Sequence, residues 1–373
     1  MYNLNTRNKY KFVYNYRLTE TFLKTQITII IDYLFISIIA SVAVNSILRN
    51  YAKTNNILVD IPDRSRKFHK RPTPLTGGTG IFIALILSGK FYIDLNDLNG
   101  YVPDFTYYLM VSSLPLLLLF LIDDYRGLKA SQRLLIQAGL SLFIIYTTGI
   151  QLESFGNLFG FGNINLGILS IPVTIFCVVG IMNAFNMIDG INGLCSGCAM
   201  IGLLLMGFHS GLIYDSMLIL IIGSMIGFLI FNLKIFGKKR GVFLGDSGSN
   251  LIGFWVAWSA IYCSQNPIYD CQPIIMLWFV AVPLLDCIGL IFSRLKKGIR
   301  ISEPGRDHIH HKLMNRYSPE GTLAIILMAS LISGLFGIFL NNTFSPWVST
   351  YLFIVYASCY YLYAYYYANI KIK

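Results

Sequence analysis

The amino-acid sequence predicts an all-α polytopic membrane protein with about eleven transmembrane helices and a polar site on the cytoplasmic face. Three observations carry that expectation. Apolar residues make up 55% of the 373-residue chain and charged residues only 13%, roughly half the ~25% of ordinary globular chains. Apolar runs long enough to cross ~30 Å of hydrocarbon as helices recur along the chain. The connectors between these runs alternate sharply in charge. Together these features exclude disordered, collagen-like and disulfide-scaffold classes. In so apolar a chain, the net charge of +11 points to lipid headgroups or anionic substrates rather than nucleic acid.

In order, the runs cover residues 26–47, 76–97, 105–122, 134–150, 166–186, 191–209, 212–231, 245–264, 273–293, 321–341 and 346–368. The second holds Gly77, Gly78, Gly80 and Lys90, and the sixth is rich in Gly and Cys, so these are the least apolar. Connectors 48–75, 123–133, 232–244 and 294–320 carry 21 of the 29 Lys and Arg. Connectors 98–104, 151–165, 210–211, 265–272 and 342–345 carry none. The positive-inside rule places the first set, and the C-terminus with Lys371 and Lys373, in the cytoplasm. An N-terminal basic arm, residues 1–25 with Arg7, Lys9, Lys11, Arg17 and Lys24, runs against that orientation. The arm and its apolar run are too long for a cleaved signal peptide. Residues 26–369 read as one multi-helix domain, with 294–320 a cytoplasmic loop within it.

Seven cysteines form no metal framework. Cys195 and Cys198 are a lone C-x-x-C on an apolar helix and read as packing residues, while Cys263 and Cys271 flank an outer connector where a disulfide could form.

Ionisable groups beside membrane spans are costly, so the carboxylates mark where chemistry is expected. Asp123 and Asp124 lie at the cytoplasmic end of the third run and Asp189 at that of the fifth, at helix C-termini where the dipole disfavours negative charge by ~0.3–1 kcal/mol. Something positive is needed to compensate. The ordinary reading for Asp123 and Asp124 is pairing with Arg126 or Lys129, and Asp246, opening the eighth run, reads as a plain N-cap. Taken together, four carboxylates with Asn183, Asn186 and Gly-rich turns on one membrane face suit Mg²⁺ or Mn²⁺. Asp286, mid-run in the ninth span, faces a cavity or a polar partner.

Cations gather on the same face. Segment 63–78 joins five Lys/Arg and His69 to two prolines and the Gly77–Gly78 pair, whose backbone N–H groups can be exposed. Segment 300–312 holds His308, His310 and His311; on a helix His308, His311 and Lys312 share a face and His310 turns away. Phosphate binding by Arg306 and the histidines suits the basic balance better than zinc, since no H-E-x-x-H is present. Attraction to the inner leaflet explains the plain Lys/Arg excess equally well.

The stretches IPDRSRKFHKRPTPLTGG, LIDDYRGL, NAFNMIDGING, FLGDSGSN and GRDHIHH, in this order, resemble the motifs of the polyprenyl-phosphate N-acetylhexosamine-1-phosphate transferases. The likeness runs from about residue 26 to 340. The Arg-preceded HIHH stretch is similar to the branch that starts O-antigen, enterobacterial common antigen or teichoic acid linkage units, more than to the muramyl-pentapeptide transferase. The resemblance implies transfer of N-acetylglucosamine 1-phosphate, or a related N-acetylhexosamine 1-phosphate, from a UDP-sugar to undecaprenyl phosphate, releasing UMP, in a bacterial inner membrane. It implies metal-ligand positions at Asn186 and Asp246, an acidic pair near the attacking phosphate at Asp123 and Asp124, and an acidic nucleotide-site position at Asp189. Lys67, Arg133, Asn192, Arg306, His308, His310 and His311 take substrate-binding positions. Two departures stand out. Where many members read D-G-x-D-G, this chain has Asn192, which can accept a hydrogen bond but cannot act as a base, and a common Lys is Arg133, a planar fork. A homodimer is the one assembly considered, and a transporter with a charged cytoplasmic mouth is the alternative from another class. Transporters place their sites near the midplane and often carry repeats, and no repeat is visible here.

Overall fold

The computed structural model describes residues 20–62, 71–95, 104–211, 216–269, 271–300, 305 and 307–364. The basic arm 1–25 lies almost wholly outside them. Thirteen α-helices account for about three-quarters of the described chain: α1 (Glu20–Asn55), α2 (Gly77–Leu95), α3 (Asp104–Arg126), α4 (Ala130–Thr148), α5 (Ser170–Ile188), α6 (Leu194–Ser210), α7 (Ser216–Asn232), α8 (Gly245–Gln265), α9 (Pro273–Phe279), α10 (Ala281–Lys296), α11 (Ile309–Met314), α12 (Pro319–Thr343) and α13 (Pro346–Leu362). The strands among the described residues are a two-residue antiparallel pair, β1 (Val59–Asp60) and β2 (Thr73–Pro74), in register Val59 to Pro74. The fold is therefore all-α, as the hydropathy pattern requires.

Each apolar run falls on helix over most of its described residues. Four helices, Thr28–Asn55, Phe105–Arg126, Gly167–Ile188 and Pro319–Thr343, are long and apolar enough to cross a membrane; a bent pair makes a fifth. That pair corrects the straight ninth span. α9 and α10 meet at 84°. Pro283 has no N–H to give the carbonyl of Phe279, so the helix cannot run through, and Pro283 sits instead in the first turn of α10, where an amide is not needed.

α8 is the centre of the bundle. Every residue from Ser247 to Ser259 is buried, as expected of a helix that is apolar all round. It packs against α2, α3, α5 and α6, while α1 lies along α2 and α7. Around this core, many large apolar side chains are exposed: Ile31, Phe35 and Ile39 on α1, Leu114, Leu118 and Ile122 on α3, Met328, Ile332 and Phe339 on α12. Exposed apolar surface of this kind belongs in lipid. None of the seven cysteines is in a disulfide, Cys263 and Cys271 included, and Cys195 and Cys198 are buried.

The Gly77–Gly78 pair does not expose its amides. The N–H groups of Gly77 and Gly78 donate to the carbonyls of Phe243 and Leu244 at 3.0 and 3.1 Å, and the N–H of Phe243 donates to the carbonyl of Pro74 at 2.8 Å. This ties the start of α2 to the start of α8. Gly78 also lies so close to the backbone of Gly248 that a side chain on either would have no room.

Gly78→Ala is therefore expected to force α2 and α8 apart, at a cost of about 1–3 kcal/mol. Gly89→Ala in the same helix meets nothing within 4 Å and should be neutral or slightly stabilising. Melting temperatures of the two variants in detergent check this, and equal temperatures would mean that the α2–α8 contact is not close.

Candidate active site

The C-terminal ends of α3 and α5 and the N-terminal ends of α4 and α8 meet at one end of the bundle. Three helices bring polar side chains there at one-turn spacing: Arg133 and Gln137 on α4, Asn183 and Asn186 on α5, Asp246 and Asn250 on α8.

Arg133 is the hub. Its Nε lies 2.8 Å from Asp123 Oδ2, and its Nη1 donates to Asp246 Oδ2 at 3.0 Å. The first contact is a charge contact without hydrogen-bond alignment, since both atoms are buried and neither finds a well-directed partner. Asp123 is completed by the N–H of Leu128, which donates to Oδ1 at 2.6 Å. The partner of Asp123 is thus Arg133, one turn into the next helix, and not Arg126 or Lys129.

Asp124 answers its own dipole problem differently. Its Oδ1 accepts the N–H of Asp246 at 2.7 Å and its Oδ2 the N–H of Ser247 at 3.1 Å. A carboxylate at the negative end of α3 is thereby placed on the positive end of α8, whose first amides have no partners inside their own helix. Asp246 is consequently not an N-cap. Its Oδ1 receives Asn186 Nδ2 at 3.0 Å and its Oδ2 receives Arg133, with 39% of the side chain still open to solvent.

A network of amides lies one turn deeper. Asn183 Nδ2 donates to Gln137 Oε1 at 2.8 Å, Gln137 Nε2 donates to Asn250 Oδ1 at 2.6 Å, and Asn250 Nδ2 donates to the carbonyl of Asp246 at 2.8 Å. Gln137 and Asn250 escaped the sequence reading. The signal for them was an amide inside an apolar run, four residues from a charged motif residue.

Asp189 closes α5, with Asn192 half-buried in the turn that follows. Enclosure by protein and then the charges of Asp246 and Asp124 push the Asp189 carboxyl up to about 8. The histidine segment reaches this turn: the His310 ring lies against Gly190, filling the space of a missing side chain. α11 begins only after His308, so the three imidazoles do not follow helical spacing. His308 and His310 stack at 5.4 Å between ring centroids, His310 and His311 lie 4.1 Å apart, and His308 and His311 6.0 Å. His310 does not turn away as expected; it is fully buried, and neither ring nitrogen has a hydrogen-bond partner. Burial, reinforced by His311 and His308, holds its imidazole down at about 2, so it is neutral. Lys312 is buried, pulled down to about 8 chiefly by that burial, and donates from Nζ to the carbonyl of Ala364 at 2.7 Å.

Asp286, 1% exposed on α10, has its polar partner in this segment. Its Oδ2 lies 2.8 Å from His308 Nδ1, and its Oδ1 accepts the N–H of Ile309 at 2.9 Å. Lys67 and Arg306 lie outside the described residues.

Among the described residues no three His, Cys, Asp or Glu side chains converge to hold a metal by themselves. The donor set nevertheless fits a hard cation that keeps waters and shares its shell with substrate phosphates. Asp246 is solvent-accessible, the Asn186 carboxamide lies against it and presents its carbonyl oxygen if the amide is turned, and Asp189 and Asp124 are close enough to act on one another.

Comparison with known proteins identifies the family. Residues 106–264, which span α3 to α8, match the family described as glycosyl transferase family 4. An undecaprenyl-phosphate alpha-N-acetylglucosaminyl 1-phosphate transferase of Yersinia pestis is 32% identical over 305 residues, covering 80% of this chain and 81% of the relative. The protein of the same name in Escherichia coli K12 is 31% identical, covering 83% of each chain. A probable undecaprenyl-phosphate N-acetylglucosaminyl 1-phosphate transferase of Bacillus subtilis is 29% identical, covering 80% of each. With likeness of that depth across four-fifths of both chains, the chain belongs to the polyprenyl-phosphate N-acetylhexosamine-1-phosphate transferases of glycosyl transferase family 4.

Proposed function

We propose that this protein transfers N-acetylglucosamine 1-phosphate, or a close N-acetylhexosamine analogue, from a UDP-sugar to undecaprenyl phosphate, as the first membrane step of a cell-surface polysaccharide. The observation that carries this reading is the meeting of Asp123, Asp124, Asp246 and Arg133 at one end of an otherwise apolar bundle. A lipid phosphate can reach that end from the bilayer and a nucleotide from the water. Nothing in the fold or the relatives favours a carrier.

An oxygen of the lipid phosphate attacks the β-phosphorus of the UDP-sugar; the bond from that phosphorus to the bridging oxygen breaks, and UMP leaves. A phosphate monoester with a second pKa of about 6 is largely ionised near neutrality, so no base is needed to create the nucleophile. What the protein must supply is charge compensation and positioning. Arg133 holds a cation between Asp123 and Asp246, while Asp124 fixes the start of α8 and with it the Asp246 side chain. His308, His311 and Arg306 receive the diphosphate, Lys67 adds charge from the loop before α2, and neutral His310 and Asn192 shape the sugar side. Asn186 and Asp246 would hold Mg²⁺, with Mn²⁺ as a substitute; when bound it neutralises charge on the phosphate oxygens.

The finer topology follows the charge bias of the connectors: about eleven spans, with the site facing the cytoplasm from the plasma membrane. A homodimer is the assembly we would test first.

Three measurements examine this reading. Membranes given UDP-N-acetylglucosamine and undecaprenyl phosphate should release UMP and yield a lipid diphosphate sugar identifiable by mass spectrometry; no lipid-linked product with any UDP-N-acetylhexosamine would end it. Asp246→Ala should insert normally yet lose roughly 10²–10³-fold in turnover, as when one preorganised electrostatic contact is removed, and near-normal turnover would remove the cation site. Asp189→Asn tests the enclosed carboxyl through stability. Its pKa is about 8 in the fold against 3.8 for an ordinary aspartate. Below both values, folded and unfolded chains are protonated alike. As pH rises between them only the unfolded chain loses its proton, so the native protein loses stability and the Asn variant does not. Melting curves should coincide near pH 4 and separate by a few degrees in favour of Asp189→Asn at pH 8, with Mg²⁺ narrowing the gap; a separation independent of pH would contradict the assignment.

A further inference from the structure

We propose that Asp286 is a positioning residue for the transfer: it holds His308 with the proton on Nδ1 and so decides which ring nitrogen is presented to the sugar nucleotide's diphosphate. The inference rests on the function proposed above, and its geometry stands apart from the carboxylate cluster.

Asp286 lies within an apolar helix at 1% exposure, where a carboxylate is costly unless each oxygen is answered. Both oxygens are answered from one short segment, by His308 Nδ1 at 2.8 Å and by the N–H of Ile309 at 2.9 Å. Ile309 is the first residue of α11, and His308 before it is extended, with φ −66° and ψ 155° and no capping bond from its own side chain. Asp286 therefore does from a distant helix what an N-cap would do locally, and the same carboxylate orients the ring beside that cap. Twenty-two positions separate the two residues, so the contact pins the histidine segment to α10.

The chemistry of the acceptor fixes the tautomer. An ionised carboxylate only accepts, so the proton between Asp286 and His308 belongs to Nδ1. Nε2 is left as the nitrogen that exchanges. When a diphosphate oxygen arrives there, the form that satisfies both neighbours is the imidazolium, which donates from Nε2 to the phosphate and from Nδ1 to Asp286, with Asp286 balancing the charge. The ring is also coupled to the carboxylate cluster, because His308 stacks on His310 and His310 rests on Gly190, next to Asp189.

An asparagine at 286 breaks this logic in a defined way. One of its two polar atoms becomes a donor. The backbone N–H of Ile309 cannot accept, so the amide oxygen must stay on Ile309 and the NH₂ group must face His308, which can then meet it only with a bare Nδ1. The substitution thus keeps shape and hydrogen bonds but reverses the ring, much as an amide in place of a triad carboxylate leaves geometry intact and selects the wrong tautomer.

The test uses the full-length protein in lipid bilayers with ¹⁵N-labelled histidine. The chain has five histidines, and the signals of His308 are those lost in His308→Gln. Nδ1 of His308 should be protonated in the unsubstituted protein and bare in Asp286→Asn. Turnover in Asp286→Asn should fall roughly 10- to 100-fold, the range for losing a carboxylate that orients a functional imidazole, with KM for the polyprenyl phosphate unchanged. In a His308→Gln background the same substitution should change the residual rate by less than about twofold, since a residue acting through His308 has nothing left to act on. A bare Nδ1 in the unsubstituted protein, or losses that simply multiply in the double variant, would overturn the proposal. If the unsubstituted protein makes no lipid-linked sugar the proposed reaction fails instead, and the ring-nitrogen assignment still decides whether Asp286 sets the tautomer.

Discussion

The polar end of this bundle exists because negative charge at the C-terminal end of α3 is compensated by protein. A carboxylate there opposes the helix dipole, and two in succession also oppose each other. Asp124 is satisfied by the first amides of α8, and Asp123 by the guanidinium of Arg133. Because that guanidinium reaches Asp246 as well, one side chain fixes the relative placement of α3, α4 and α8. The Asp123 side chain has no exposure, so removing its cation would leave a buried charge unanswered, a loss of roughly 3–5 kcal/mol when a pair is fully buried and less for an Arg133 that is 31% exposed. A lysine has no planar fork to divide between two carboxylates, so lysine at this position would not keep the same geometry.

The same compensation bears on the reaction. Two phosphorylated reactants repel each other, and water alone would have to reorganise around them at the moment of transfer. A site whose cation and helix dipole are already oriented avoids that reorganisation. The contact between Arg133 Nε and Asp123 Oδ2 fits this view: both atoms are buried and 2.8 Å apart, so the guanidinium is held in place by charge before any reactant arrives. Asp189 contributes the opposite tendency, since enclosure and the charges of Asp246 and Asp124 push its carboxyl up to about 8.

The helices were legible in the sequence because length and hydropathy determine them locally, and the runs ending at Asp124 and Asp189 or opening near Asp246 coincide with α3, α5 and α8. Which polar residues would gather was legible for the same reason: charge in an apolar chain is sparse. Pairings were not legible. Asp123 chose Arg133 over the nearer Arg126 and Lys129, Asp124 rather than Asp246 took the cap of α8, and Asp286 found His308 twenty-two positions on, because such contacts depend on how helices are brought together. Spacing also misled where helix was absent. His308 precedes α11, so the face shared with His311 and Lys312 does not exist, and Lys312 points to the carbonyl of Ala364. The break between α9 and α10 had one sequence signal, Pro283, hidden in a run whose hydropathy does not change across it.

Beneath the charged layer the protein uses amides, and the reason is energetic. Charges placed one turn deeper would each require desolvation that pairing seldom repays, whereas a carboxamide donates and accepts and can be satisfied by another carboxamide. Asn183, Gln137 and Asn250 form such a chain across α5, α4 and α8, ending on the backbone carbonyl of Asp246 itself. The main chain of the carboxylate that faces the reactants is thus bonded by Asn250 of its own helix, which Gln137 and Asn183 hold in turn from α4 and α5. Rigid elements keep a functional group within the small displacement that catalysis tolerates better than loops do, so this amide layer gives the exposed, solvated Asp246 the fixed position that its charge alone could not secure.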